Sequence, residues 1–116
     1  MVSRLELVLK ELNENGNFRA SLFATSSGLV LASQKEEDID ERVVAAMGSL
    51  LSDSAYKAAE ELKLSDIQSM RIKYMEDYII MRNIILSNKK NQFLLAVLTK
   101  LPENDEVERY FDQLLT

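Results

Sequence analysis

Apolar side chains recur at strand spacing in the first part of the chain. Residues 18–25 carry an apolar side chain at every second position, and a second apolar run, 29–32, follows a Ser-Ser-Gly turn. Two short strands joined by a tight polar turn predict a β-hairpin. Residues 34–38 are charged and are expected to form a solvated linker.

Three further strands are predicted in the second half of the chain. Apolar and polar side chains alternate over residues 68–75, with Met70 and Ile72 on the apolar side. This pattern is typical of a strand with one solvent-exposed face. Residues 78–86 and 92–99 are apolar at nearly every position, as in central strands covered on both faces. The short links between neighbouring strands favour an antiparallel sheet.

Three segments with apolar residues at helical spacing lie before, between and after these strands. Ser3 is a candidate N-cap for a first helix, and Gly16 is suited to its C-terminal end. Asp40 is a candidate N-cap for a long helix that runs to about Leu62. A last helical stripe covers residues 107–115. The predicted order, α-β-β-α-β-β-β-α, indicates an α+β fold in one domain, 1–116, with helices on both faces of a five-stranded sheet.

The long helix carries more apolar surface than it needs to sit on its own sheet. A stripe of about 100° is enough for that purpose. Here two lines of apolar and small residues stand side by side: Val44, Gly48, Leu51, Ala55, Ala58 and Leu62 form one, and Val43, Met47, Leu50 and Ser54 form the other. Glycine inside a helix costs about 1 kcal/mol relative to alanine, so Gly48 indicates a packing reason, either against the chain's own sheet or against a partner. The chain is therefore interpreted as an interaction module that pairs with itself.

The amino-acid composition argues against most kinds of catalytic and cofactor chemistry. The net charge is -5, and the pI near 4.8 argues against nucleic acid as the main partner. The sequence has no Cys and no His, which are the usual thiol nucleophile, general base and metal ligand. No phosphate-binding glycine motif is present. We expect no enzyme activity, no cofactor and no metal site, and we expect a cytoplasmic protein with no membrane insertion.

Three segments carry a resemblance to a known family. They are GLVLAS at 28–33, ERVVAAMGSLL at 41–51 and QFLLAVLT at 92–99. With these segments the chain resembles the roadblock family of dynein light chains and GTPase regulators, and the resemblance runs from Leu5 to Leu115. It implies one long helix on one sheet face and the N- and C-terminal helices on the other. One departure is the turn at 75–78, where many members are rich in glycine.

The resemblance also implies partners. Roadblock proteins are typically homodimers or heterodimers with a related chain, in which the long helices pack together and the sheets join at an edge strand. On this sequence the dimer interface would use Val44, Met47, Gly48, Leu51, Ala55, Met70, Arg71 and Ile72. Substitution of Gly48 by glutamate is then expected to split the dimer and leave the fold largely intact.

The function implied most strongly is that of a non-enzymatic scaffold or regulator for a Ras-like small GTPase. The GTPase-facing candidates are Arg42, Ser52 and Arg71. A catalytic arginine finger is not required, because the family can act on the switch regions of the GTPase.

Two alternatives stay open. One is a ligand-sensing domain of the PAS or profilin-like kind, indicated only by Asn83 within an apolar strand. The other is a cargo or light-chain adaptor of the dynein type.

Overall fold

The strands form one antiparallel sheet, as the sequence predicts. The computed structural model describes residues 4–85, 92–100 and 113. The sheet has five strands in the order β2-β1-β5-β4-β3, so β2 and β3 are its edges. The elements are α1 (Arg4–Gly16), β1 (Ala20–Thr25), β2 (Val30–Lys35), α2 (Glu41–Leu62), β3 (Ser69–Lys73), β4 (Asp77–Ile85) and β5 (Gln92–Lys100). The α+β fold is confirmed. The predicted helix at 107–115 lies outside the described residues except for Gln113, which is helical.

Each face of the sheet has its own apolar core. On one face, α1 contributes Leu9 and Leu12, both almost fully buried. They pack with side chains from the central strands: Tyr78, Ile80, Leu95 and Val97. Burying a side chain of this size stabilises a fold by roughly 1.5–3 kcal/mol.

The opposite face is covered by α2. Ala45 is fully buried there against alternate residues of β1, β4 and β5, namely Leu22, Ala24, Ile79, Met81, Leu94 and Ala96. Met70 and Ile72 of β3 pack at the margin of this core, which confirms the alternation predicted for that strand. Because β4 and β5 are covered on both faces, their sequences are apolar at successive positions.

Several boundaries differ from the sequence prediction. The residue with positive φ after α1 is Asn17, not Gly16, and Gly16 is still helical. β2 extends to Lys35, into the segment predicted as a linker, because Lys35 pairs with Ala20 of β1. The β3–β4 turn is closed without glycine, by a hydrogen bond of 2.8 Å from the Tyr74 N–H to the Asp77 carbonyl.

Candidate functional site

One face of α2 presents large apolar side chains to solvent. Val43, Leu50 and Leu62 are 64%, 71% and 67% exposed, and Leu51 is 38% exposed. At 100° per residue these four positions span an arc of roughly 120°, on the side of the helix away from Ala45. We call them the outer face of α2. Several large apolar side chains exposed on one helix face are typical of a protein–protein contact.

The apolar surface continues from α2 to the hairpin of β3 and β4. Met47 lies within the arc of the outer face and is half-buried, and its Sδ accepts a long hydrogen bond of 3.9 Å from the Tyr74 hydroxyl. Tyr74 and its neighbour Met75 are themselves exposed. Within the described part of the chain, β3 pairs with β4 alone and is an edge of the sheet. The helix surface and the strand edge are therefore adjoining parts of one side of the molecule.

The structure places the predicted interface residues in three environments. Leu51 and Arg71 are exposed. Met47, Val44 and Ala55 are half-buried, and Met70 and Ile72 pack at the margin of the α2 core. Gly48 is buried.

The explanation of Gly48 by an approaching partner is therefore corrected. A Cβ at this position would clash with the Leu94 side chain and lie 3.2 Å from Met81 Sδ. The missing side chain lets α2 approach its own sheet. Of the outer face, the predicted interface includes Leu51 but not Val43, Leu50 or Leu62, although all three lie on the two apolar lines of the sequence pattern.

The GTPase-facing candidates do not form one surface within this chain. Arg42 is exposed at the start of α2. Ser52 faces the sheet instead, and its hydroxyl donates to Asn83 Oδ1 at 3.4 Å. Arg71 pairs in register with Ile80, whose side chain packs in the α1 core, so Arg71 lies on the other sheet face from α2.

The start of α2 is capped as predicted. The Asp40 carboxylate accepts a hydrogen bond of 3.0 Å from the Arg42 N–H and one of 3.2 Å from Arg42 Nε. These two hydrogen bonds, the side-chain one first, hold the pKa of Asp40 below its usual value. The same carboxylate raises the pKa of Arg42. Arg42 is thus held locally as part of the helix cap.

Three acidic side chains, two from the segment before α2 and one from the start of β4, surround an arginine. Arg19 lies 3.1 Å from Glu36, 3.7 Å from Asp38 and 3.2 Å from Asp77. The hydrogen bond to Glu36 is the main cause that raises the pKa of Arg19. Across the described ranges, no group of three or more His, Cys, Asp or Glu side chains is arranged to hold a metal ion. No described helix combines the length and apolar character needed to cross a bilayer.

A separate cleft of about 410 Å³ lies where the second half of α2 passes over the end of the sheet. Its walls include Ser49, Ser52 and Tyr56 of α2, and Asn83 of β4. The β1–β2 turn closes one side. Gly28 in that turn has φ of +95°, and a Cβ there would lie 3.3 Å from Ser49 Cβ. Glycine therefore serves both the turn and its approach to α2.

These features define an α+β domain whose exposed apolar helix and edge strand lie on one side. The Roadblock/LC7 domain family model matches residues 4–99. The chain belongs to this family. A curated relative, the uncharacterized protein MJ0714 of Methanocaldococcus jannaschii, is 26% identical over 115 residues, which cover 94% of this chain and 98% of the relative.

Solved structures support the same fold. The chain is similar to MglB of Myxococcus xanthus, with a TM-score of 0.80 and 14% identity over 96% of this chain and 88% of that protein. It is also similar to a Roadblock/LC7 domain from Streptomyces avermitilis, with a TM-score of 0.74 and 16% identity over 98% of this chain and all (100%) of that domain. At these identities the likeness concerns the fold alone.

Proposed function

We propose that this protein is a non-enzymatic scaffold or regulator that forms a dimer through α2 and β3 and binds a Ras-like small GTPase. The observation that carries the dimer is the outer face of α2. Val43, Leu50 and Leu62 are each more than 60% exposed on a helix whose other side already covers the sheet. Apolar area removed from water contributes about 25 cal/mol per Å² to stability, so covering these side chains would stabilise a dimer.

The edge strand supports the same contact. β3 is short. Its Met70 and Ile72 side chains face α2, and the side chains that alternate with them lie on the opposite face of the sheet. In a two-fold dimer the same surface of both copies meets. A helix and an edge strand on one side of the chain can therefore each pair with its own copy. The revised interface centres on Val43, Met47, Leu50 and Leu51, with Gly48 assigned to the interior.

The GTPase part of the proposal is supported by membership of the Roadblock/LC7 family and by the roles that the resemblance implies. Of the candidate residues, Arg42 is the one exposed on the α2 side. Its guanidinium is paired with Asp40, so a partner that binds there meets an ion pair and not an isolated cation. A role as a catalytic arginine finger is not part of the proposal.

The dimer is tested by light scattering after size exclusion over a range of protein concentrations. A mass of twice the 13.2 kDa chain mass is expected. A strict monomer at all concentrations would contradict the homodimer and direct the search to a related chain as the partner.

The GTPase is tested by pull-down with Ras-like GTPases of the same organism, each loaded with GDP or with a non-hydrolysable GTP analogue. We expect binding that differs between the two nucleotide states, since a regulator must distinguish the switch conformations. Binding to neither state by any of these GTPases would contradict the proposed partner while leaving the dimer untouched.

A further inference from the structure

The cleft under the second half of α2 is lined by polar groups on a helix side that elsewhere is apolar. Ala45 and Gly48 face the sheet earlier in the helix and are fully or nearly buried. Ser49 and Ser52 follow on the same side and line the cleft. A helix that only covered its sheet would carry apolar residues at these positions too.

The strand below the helix changes in the same place. Ile79 and Met81 of β4 face α2 and are buried in its core. The next residue on that face is Asn83, which lines the cleft and accepts a hydrogen bond from Ser52 through Oδ1 at 3.4 Å. A long bond of this kind satisfies one lone pair of the amide and leaves its NH₂ group available. Both the helix and the strand therefore change from apolar to polar residues where they line the cleft.

We infer that this cleft is a binding site for a small polyhydroxylated molecule, uncharged or cationic, of the sugar or amino-sugar class. Its volume of about 410 Å³ lies in the range of small-molecule sites, roughly 300–1,000 Å³. Hydroxyl and amide side chains donate and accept, as the hydroxyls of such a ligand do. Tyr56 belongs to the wall, and an aromatic side chain is a surface on which the apolar face of a sugar can pack.

The charges of the cleft set the sign of the ligand. Asp53 and Asp66 belong to its wall, and none of its described lining residues is Lys or Arg. Lys57 reaches Asp53 at 3.2 Å from the exposed side, so Asp53 is already paired, whereas Asp66 adds further negative potential. An anionic ligand would meet these carboxylates, which disfavours phosphates and uronic acids.

The test uses three molecules with the same ring and different charge: D-glucose, D-glucosamine in its protonated form, and D-glucuronate. Each is titrated into ¹⁵N-labelled protein and followed by amide chemical shifts. We expect shifts of the Asn83 side-chain amide and of the backbone amides of Ser49 and Ser52 with glucose and glucosamine. The response to glucuronate should be weaker.

Two variants locate the site. Asn83→Leu replaces the amide by an apolar group, and Ser52→Ala removes the hydroxyl that bonds to it. Each is expected to weaken binding about tenfold, the loss for a polar contact worth near 1.4 kcal/mol. Ser54→Ala, the same change on the exposed side of the helix, is the matched control and should bind as the parent does.

Absence of shifts with glucose and glucosamine in the folded parent protein would overturn the inference. So would equal binding of glucuronate, or binding unchanged in both cleft variants. Ser52→Ala keeps the test decisive if Asn83→Leu fails to fold.

Discussion

Gly48 of α2 and Leu94 of β5 occupy one contact in the core, where the glycine supplies the space that the leucine side chain fills. Leu94 is 2% exposed, and a Cβ on residue 48 would clash with its Cδ2 atom and also lie 3.2 Å from Met81 Sδ. The helix-breaking cost of glycine, about 1 kcal/mol, is thus offset by close packing inside the chain.

Gly48→Ala is expected to lower the free energy of unfolding by about 1 kcal/mol. The added methyl group gains about 1 kcal/mol of helix propensity, but overpacking of a core typically costs ~1–3 kcal/mol. Urea denaturation of the variant and the parent measures the difference. Gly48→Glu should unfold the domain, in contrast to the expectation from sequence, because it forces a charge into this contact.

A double-mutant cycle with Leu94→Ala identifies the cause. If the Leu94 side chain is the obstacle, Gly48→Ala should become neutral or stabilising once Leu94 is shortened, with a coupling energy of at least about 1 kcal/mol. Additive effects of the two substitutions would show that residue 48 is limited by something other than Leu94.

Leu50→Glu is expected to split the proposed dimer and leave the fold intact. Leu50 is 71% exposed in the single chain, so its replacement should change the free energy of unfolding of the monomer by no more than about 0.5 kcal/mol. In a two-fold contact both copies would bury a glutamate, and the dissociation constant should rise by about a hundredfold or more. Light scattering and analytical ultracentrifugation measure this change.

Leu7→Glu is the matched control for that experiment. Leu7 lies on α1, on the other side of the sheet, and is 53% exposed. The control should keep the mass of the parent protein. Equal effects of the two glutamates would place the self-contact elsewhere or show a general loss of solubility.

Regular elements were predictable because their residues satisfy local and tertiary demands together. The alternation of Met70 and Ile72 matches their place on the α2 side of β3. Asp40 caps α2 through a contact with Arg42, two residues further on, which spacing alone can predict. The exposed apolar line through Val43 and Leu50 was likewise visible as a second stripe.

Features that depend on distant parts of the chain could not be predicted. The extension of β2 to Lys35 follows from its pairing with Ala20, and a charged sequence gives no local sign of it. The sequence around Gly48 is the same whether its close neighbour is a partner helix or the Leu94 side chain of the same chain, so it does not distinguish the two. Ser52 is part of a polar cleft only because Asn83 of β4 lies beneath it.

Tyr78→Phe is expected to leave the free energy of unfolding unchanged or raise it by about 1 kcal/mol. Tyr78 is fully buried, and its hydroxyl has no hydrogen-bond partner among the described residues. An unsatisfied buried hydroxyl costs ~1–3 kcal/mol, and phenylalanine keeps the ring that packs in the α1 core. Urea denaturation again supplies the measurement. A loss of more than about 1 kcal/mol would mean that the hydroxyl does form a stabilising bond in solution.

The cap of α2 makes stability depend on pH in a defined direction. The pKa of Asp40 is lowered in the folded chain, first by its side-chain hydrogen bond with Arg42 and then by the Arg42 N–H. A group with a lowered folded pKa contributes stability that is present above its unfolded pKa and lost as the pH falls through the folded pKa. Asp40→Ala should therefore lower the midpoint of thermal unfolding at neutral pH, and the gap to the parent should narrow as the solution becomes acidic.

Asp40→Asn separates the cap from the charge. Asparagine keeps an oxygen that accepts from the Arg42 N–H, so it should recover part of the lost stability at neutral pH. Its own contribution should not change with acid, because the amide does not titrate in this range. Thermal unfolding of the parent and both variants across an acid-to-neutral series tests this. A gap between parent and Asp40→Ala that stayed constant throughout the series would show that the ionised carboxylate is not what stabilises the start of α2.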